Sequence, residues 1–599
     1  MSRDGAACRW IVNKTNIEYV EYISRIASVS PLFARVLINR GIKTLEQLNS
    51  FLDPDIGKLS DPFELPDIKT ALDRIKTAKK LGERVLIHGD YDADGVTATA
   101  IMVEGLREFG LDVHYFIPDR MSHGYGFGIA GVERAQQTGA KLVITVDCGI
   151  TSFEAVSSAN ACGIDVIITD HHEPVRKAGG GGPEAGGEEH IPIAHRPLPI
   201  ALSFELPEAL AIVNPKIMGS ASGIVNLSGA GVAFKIIQGL FGNNTDNVYK
   251  LLDLAAIGTA ADVVPVIDDN RIIIKEGVKL IHSGQRVGIR ALKDAAGLIS
   301  DFFKMSSLYY MMIPRINAAG RIANATDVVR LLTTPSESEA GTLAKWLNDM
   351  NFKRQEIEES VYREALDMLS SMDMNQGALV LASEGWHQGV VGIVASKLAE
   401  KYYRPAIVLS IDNGIARGSG RSIPPFDMHH GLSRCKDVLK RFGGHKQAAG
   451  LSLRSDSVAE FRAMLSGIIA DSLSGDDLIP VLNIDAAVSI NDISIGLVDE
   501  FARLEPFGCS NSEPVLGAKG LEALRPRIVG NNHLKMQVRQ NGRRLDSIGF
   551  DFGSMLGIVE GSPLIDAAFL PTINEWDGGK RLQLNLKAIR PSGPELRVL

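Results

Sequence analysis

Cysteine is scarce, and nothing in its spacing suggests pairing. Five residues, at positions 8, 148, 162, 435 and 509, form no Cys-x-x-Cys, so neither a disulfide framework nor a zinc ribbon is indicated. Long apolar runs are also missing. None approaches the roughly 18 residues a membrane span needs. The opening Met1-Ser2-Arg3-Asp4-Gly5 lacks the apolar core of a secretory signal. Together these absences lead to the expectation of a reducing cytoplasm and no membrane association. Positive charge is not in excess either. With 63 Lys and Arg against 71 Asp and Glu, the formal net charge is −8. That argues against a uniformly basic polyanion-binding surface. It leaves room for an acidic site and a local basic groove, which cancel in the sum.

What is present begins with length. At 599 residues, the chain is too long for one core, and roughly three or four domains are expected. Residues 1–80 read as an N-terminal segment with short helices. From about 81 to 335, short apolar strands alternate with helices: strands at 85–88, 113–117, 142–146 and 166–169, helices at 96–109, 131–139 and 152–162. That rhythm predicts an α/β fold with a parallel sheet covered by helices on both faces. Residues 177–210, rich in Gly and Pro and without periodicity, read as a flexible insertion. A charged helical stretch over 336–373 predicts a connecting helix, and 374–473 a second, smaller α/β domain. From 474 to 599, many short alternating strands predict a small β-barrel.

The chemistry concentrates at strand ends. His88-Gly-Asp90-Tyr-Asp92-Ala-Asp94-Gly95 follows the apolar run Val85-Leu86-Ile87. It places three carboxylates on alternate residues, and carboxylates that close repel unless a cation lies between them. Asp147 follows the strand at 142–146, Asp170-His171-His172 follow the strand at 166–169, and Asp262 closes an apolar run. Functional groups gather at the carboxyl ends of strands in an open parallel sheet. Carboxylates with one or two imidazoles suit Mn²⁺ or Mg²⁺, and a bridging Asp would suit two such ions acting on a phosphate ester. The bland alternative makes each Asp a helix cap or turn residue. It is reasonable for any one of them and a poor account of the whole set.

These motifs resemble the DHH phosphoesterase superfamily, named for the triplet seen here as Asp170-His171-His172. Val146-Asp147-Cys148-Gly149, Ala211-Ile-Val-Asn-Pro215 and Pro314-Arg-Ile-Asn-Ala-Ala-Gly-Arg321 extend the resemblance to its single-strand-specific DNA exonucleases. Gly443-Gly444-His445-Lys-Gln-Ala-Ala-Gly450 is similar to the DHHA1 signature, and Leu504-Glu-Pro-Phe-Gly508 to the opening of an OB-fold. The resemblance implies that Asp92, Asp94, Asp147, His171 and Asp262 hold the metal. It places His88 and Asp90 in or beside that set, with Asp170 and His172 orienting ligands or touching the scissile phosphate. It also implies 5′→3′ hydrolysis of single-stranded DNA to mononucleotides by a monomer, with a single-strand-binding protein and a RecQ-type helicase as partners.

Substrate-holding candidates lie elsewhere. Gly443, Gly444 and His445 offer backbone N–H groups and an imidazole to phosphate. Arg417-Gly-Ser-Gly-Arg421 offers two guanidiniums in a Gly-rich segment. Arg315 and Arg321 flank Asn317, and the loop carrying Tyr125 can stack a terminal base. In the tail, Lys535, Arg543, Arg544, Lys580, Arg581 and Trp576 are the candidates. Two other readings stay open: a phosphoesterase acting on short oligoribonucleotides or other small phosphoesters, and an inactive scaffold in a replication complex.

Overall fold

The computed structural model describes residues 8–176, 204–217, 223–242, 244–298, 303–372, 377–576 and 579–593, without the side chains of 575 and 576. The chain divides into two compact units. One comprises Asp53–Arg354 with Pro506–Asn511, the other Met1–Leu52, Gln355–Glu505 and Ser512–Leu599.

The first unit is built on five parallel strands in the order Asp112–Phe116, Arg84–His88, Leu142–Val146, Asp165–Thr169, Ala211–Val213. Their near-continuous apolar sequence follows from burial on both faces. Val85, Ile87, Leu142, Ile144 and Val146 enter one core with the helices Ala93–Glu108, Gly229–Phe241 and Leu252–Ala261. Leu86, Val143, Val166 and Ile168 enter the other, with Ile129–Thr138 and Phe153–Ala161. The chain leaves Arg84–His88 for the edge strand and returns on its other side at Leu142–Val146. The order therefore reverses between these two strands, where such sheets open a crevice at their carboxyl ends.

Most of the Gly-rich stretch, 177–203, lies outside the described residues. Its end departs from the expected aperiodic insertion. Phe204–Glu205 pairs antiparallel with Val175–Arg176 as a separate two-stranded ribbon, and the Leu210 N–H donates to the Val166 carbonyl of the parallel sheet at 2.9 Å. The charged stretch near 350 is one helix, Glu337–Ser370.

The second unit holds a five-stranded mixed sheet in the order Leu439–Gly444, Ala448–Arg454, Ile415–Arg421, Ala406–Asp412, Leu379–Glu384. The Gly-rich segment Arg417–Arg421 is an inner strand, paired on both sides. The tail closes a barrel of Leu516–Val529, His533–Gln540, Arg543–Gly549, Gly579–Pro591 and Ile565–Trp576, the last pairing back to the first. The N-terminal strand Arg9–Val12 pairs parallel with Val481–Ile484, burying Trp10 beside Leu482 and Ile484. Among the described residues no helix is long and apolar enough to cross a membrane.

Candidate active site

The carboxylates collect at the point where the strand order reverses. Asp92 caps the helix Ala93–Glu108, accepting the Gly95 N–H at 3.0 Å. The capping alternative is therefore met at Asp92, yet the same carboxylate also offers an oxygen to a group formed with Asp90 and Asp147. Asp94 is buried and accepts the Gly229 and Ala230 N–H groups at 2.6 and 2.9 Å. These amides open the helix Gly229–Phe241, whose N-terminal dipole favours an anion. Asp147 leaves its strand with φ of 59°. Asp262 ends the helix Leu252–Ala261.

His171 joins them. Its Nε2 lies 3.1 Å from Asp147, 3.4 Å from Asp262 and 3.8 Å from Asp94. Ligand atoms fall into three groups, each within 4.8 Å: Asp90, Asp92 and Asp147; Asp94, His171 and Asp262; and Asp147, His171 and His172. Burial, then the neighbouring carboxylates, push Asp262 up to about 9 and Asp147 well above the carboxylate range. Burial and then Asp92 push Asp94 up to about 7. Burial holds His171 down at about 3, which keeps the imidazole neutral with a lone pair to offer. Among the described residues, Asp90 Oδ1, Asp147 Oδ1, His171 Nε2 and Asp262 Oδ2 are buried without a hydrogen-bond partner. Buried polar atoms are nearly always satisfied. Four oxygen and nitrogen donors left bare and crowded together fit a divalent cation of the Mn²⁺ or Mg²⁺ type.

Asp170 and His172 form a separate pair. Asp170 accepts the Ile150, His171 and His172 backbone N–H groups at 2.9, 2.7 and 3.1 Å, and His172 Nδ1 at 2.7 Å. Burial alone would raise this acid. The His172 hydrogen bond and charge outweigh it and hold Asp170 down at about 2. Burial would likewise lower His172, but Asp170 holds it up at about 9. The Tyr125 hydroxyl lies 3.3 Å from His172 Nε2.

Three expected residues sit differently. His88 is absent from the ligand groups found among the described residues. Its buried ring packs 5.0 Å from Phe127 and 5.6 Å from Phe116, and burial lowers it to about 4. Asn317, expected at the substrate, accepts the Ala93 N–H through Oδ1 at 2.8 Å and so braces the aspartate loop. Arg315 donates to Asn348 Oδ1 at 3.1 Å and the Met311 carbonyl at 2.6 Å. Arg321 is half-buried on the same helix, Ile313–Ile322. Gly320 on that helix lies so close to the loop that a Cβ would meet the Tyr91 carbonyl at 2.1 Å.

In the second unit, Gly443 and Gly444 end a strand, with φ of 139° at Gly444. The exposed His445 donates its N–H to Ala448 at 2.8 Å. Arg417 is exposed, while Arg421 donates to the Gly420 carbonyl at 2.9 Å and to the Ser419 hydroxyl. On the barrel, Arg543 is committed to the Asn491 and Ile493 carbonyls. Arg544, Lys580 and Arg581 are exposed and Lys535 is half-buried. The Trp576 side chain lies outside the described residues. The Gly229 and Ala230 amides were missed. Their signal was Ser228 before Gly-Ala-Gly and an apolar run, an N-cap signature for a helix that begins at the site.

A parallel sheet that brings an Asp-x-Asp-x-Asp loop, a lone Asp and an Asp-His-His triplet to its reversal point defines a DHH phosphoesterase. Family models match in chain order: the DHH family N-terminal domain at 84–180, the DHHA1 domain at 375–471 and the RecJ OB domain at 484–588. The single-stranded-DNA-specific exonuclease RecJ of Bacillus subtilis is 38% identical over 97% of this chain and 70% of its own. That of Escherichia coli is 32% identical over 94% and 96%. The crystal structure of Thermus thermophilus RecJ in complex with Mn²⁺ aligns with a TM-score of 0.80 at 30% identity, covering 98% of this chain and 80% of that one. The Mg²⁺ complex aligns at 0.76. The chain belongs to the RecJ family.

Proposed function

We propose that this enzyme hydrolyses single-stranded DNA from the 5′ end to mononucleotides with Mn²⁺ or Mg²⁺. The carrying observation is the set of four bare donor atoms of Asp90, Asp147, His171 and Asp262 at the sheet reversal. Asp92, Asp94, Asp147, His171 and Asp262 hold the cations, two by the groupings above, with Asp90 beside them. When bound, the ions supply Lewis acidity at the phosphoryl group and an activated water. His172, kept charged by Asp170, donates to the scissile phosphate, and Tyr125 offers a face to the terminal base. Arg417, Arg421 and Gly443–His445 hold the phosphodiester backbone, and the barrel follows the strand beyond them. This divides the chain into an N-terminal segment to residue 80, a catalytic domain over 81–335, a connecting helix, a phosphate-binding domain over 374–473 and a strand-binding barrel from 474. A single-strand-binding protein and a RecQ-type helicase are the proposed partners in repair and recombination.

The test incubates the protein with Mn²⁺ and with single strands labelled at either end, duplex, or a dinucleotide. Mononucleotides released from the 5′ end of single strands are expected. Cleavage confined to dinucleotides would move the assignment to small phosphoesters, and a folded protein inert with either metal would point to a scaffold.

A further inference from the structure

The loop that carries Asp262 is strained, and something outside it holds it in place. Val263 adopts φ of 52°, a left-handed conformation that is unfavourable for a β-branched residue. The residue is 76% exposed, so little packing of its own offsets that strain. Strain of this kind persists only where the surroundings over-determine it. On the helix side, the Asp262 N–H donates to Gly258 at 3.1 Å. On the far side, Asn270 Nδ2 donates to the Pro265 carbonyl at 3.0 Å, and the Val266 N–H donates to the Cys509 carbonyl at 2.9 Å.

Cys509 lies in Pro506–Asn511, a turn some 240 residues further along the sequence that belongs to the catalytic unit. The turn is closed by paired Gly508 and Asn511 hydrogen bonds and by Asn511 Nδ2 donating to the Pro506 carbonyl at 2.8 Å. The Tyr309 hydroxyl donates to the Phe507 carbonyl at 3.0 Å, and buried Arg271 to the Pro506 carbonyl at 3.3 Å. Gly508 lets the turn seat closely: a Cβ there would meet Val266 Cγ2 at 2.6 Å and the Tyr309 hydroxyl at 2.9 Å.

We propose that the Pro506–Asn511 turn is a clamp that positions Asp262 for cation binding, with Tyr309 and Arg271 as positioning residues. It holds Val266, so the strained Val263 keeps the Asp262 carboxylate turned toward His171. The turn thus supports the catalytic centre from outside it, although its sequence lies at the opening of the OB-like region. The inference rests on the metal reading above.

The test strips the full-length protein of metal with a chelator and titrates it calorimetrically with Mn²⁺. Gly508→Ala is expected to weaken Mn²⁺ binding by about 10–100-fold, the range for losing a group that orients a ligand. Tyr309→Phe is expected to act in the same direction with a smaller loss, and it carries the test should Gly508→Ala fail to fold. Adding Val263→Gly to either variant removes the strain that the clamp opposes and should recover about tenfold. Wild-type affinity in both single variants overturns the proposal. So does a loss that Val263→Gly fails to recover, since that marks general damage. A wild-type protein that binds no Mn²⁺ would instead overturn the metal reading.

Discussion

At the scale of single residues, the candidate centre separates groups that must lose a charge conflict from groups that keep one. Asp147 stands in two of the three ligand groups and closest to His171. Asp147→Ala should therefore abolish cleavage of labelled single strands while leaving their retention in a gel-shift assay largely intact. Retained cleavage would remove Asp147 from the set. The Asp170–His172 pair makes a prediction in pH. His172 is held up at about 9, above the ordinary 6.5, so the native state binds an extra proton between those values. In metal-free protein the pair's contribution to stability is complete between about pH 4 and 6.5, falls as Asp170 protonates toward about 2, and is lost as pH rises through about 9. Denaturant unfolding at stepped pH should show this fall, and Asp170→Asn should flatten it. The residue types were legible in the sequence, because three carboxylates on alternate positions after an apolar strand have few structural uses. The fates of His88 and Asn317 were not. Whether an imidazole meets cations or two phenyl rings depends on neighbours brought in by Phe116 and Phe127.

At the scale of elements, the helix Ile313–Ile322 matters more as a brace than as a groove wall. Asn317→Ala leaves the Ala93 N–H without its acceptor, a cost of about 1–3 kcal/mol if the amide stays dry. Thermal unfolding should detect that loss, and Mn²⁺ activation should shift, while the KM for DNA at saturating metal stays near wild type. A KM rise alone would restore Asn317 to the substrate. Gly320→Ala should be more damaging still, because the added carbon meets backbone rather than a movable side chain. The strands and helices read between residues 85 and 169 lie within three residues of their sequence-read bounds, since both-face burial writes itself as apolar runs. Arg417–Arg421 was harder. Its glycines signal a turn locally, and only pairing with strands on both sides makes it a strand.

At the scale of the whole molecule, a net charge of −8 must coexist with binding a polyanion, so attraction has to be local. Single-strand affinity should fall linearly on a log–log salt plot, by about 0.7 for each phosphate contacted. Lys535→Glu on the barrel should lower affinity and slope together, yet leave dinucleotide hydrolysis unchanged. An unaltered slope would move the strand off that face. By itself, the sequence determined the order of domains, the parallel sheet, the barrel and the residue types of the metal cluster, because periodicity, turn chemistry and strand-end carboxylates are local properties. Tertiary structure alone decided that Arg9–Val12 pairs with Val481–Ile484, that the Gly229–Phe241 helix aims its amides at Asp94, and that a turn at 506–511 seats beside the Asp262 loop. Each joins segments far apart in sequence, with a backbone group on at least one side. A backbone N–H or carbonyl is the same at every residue, so the sequence carries no mark of which partner it will find.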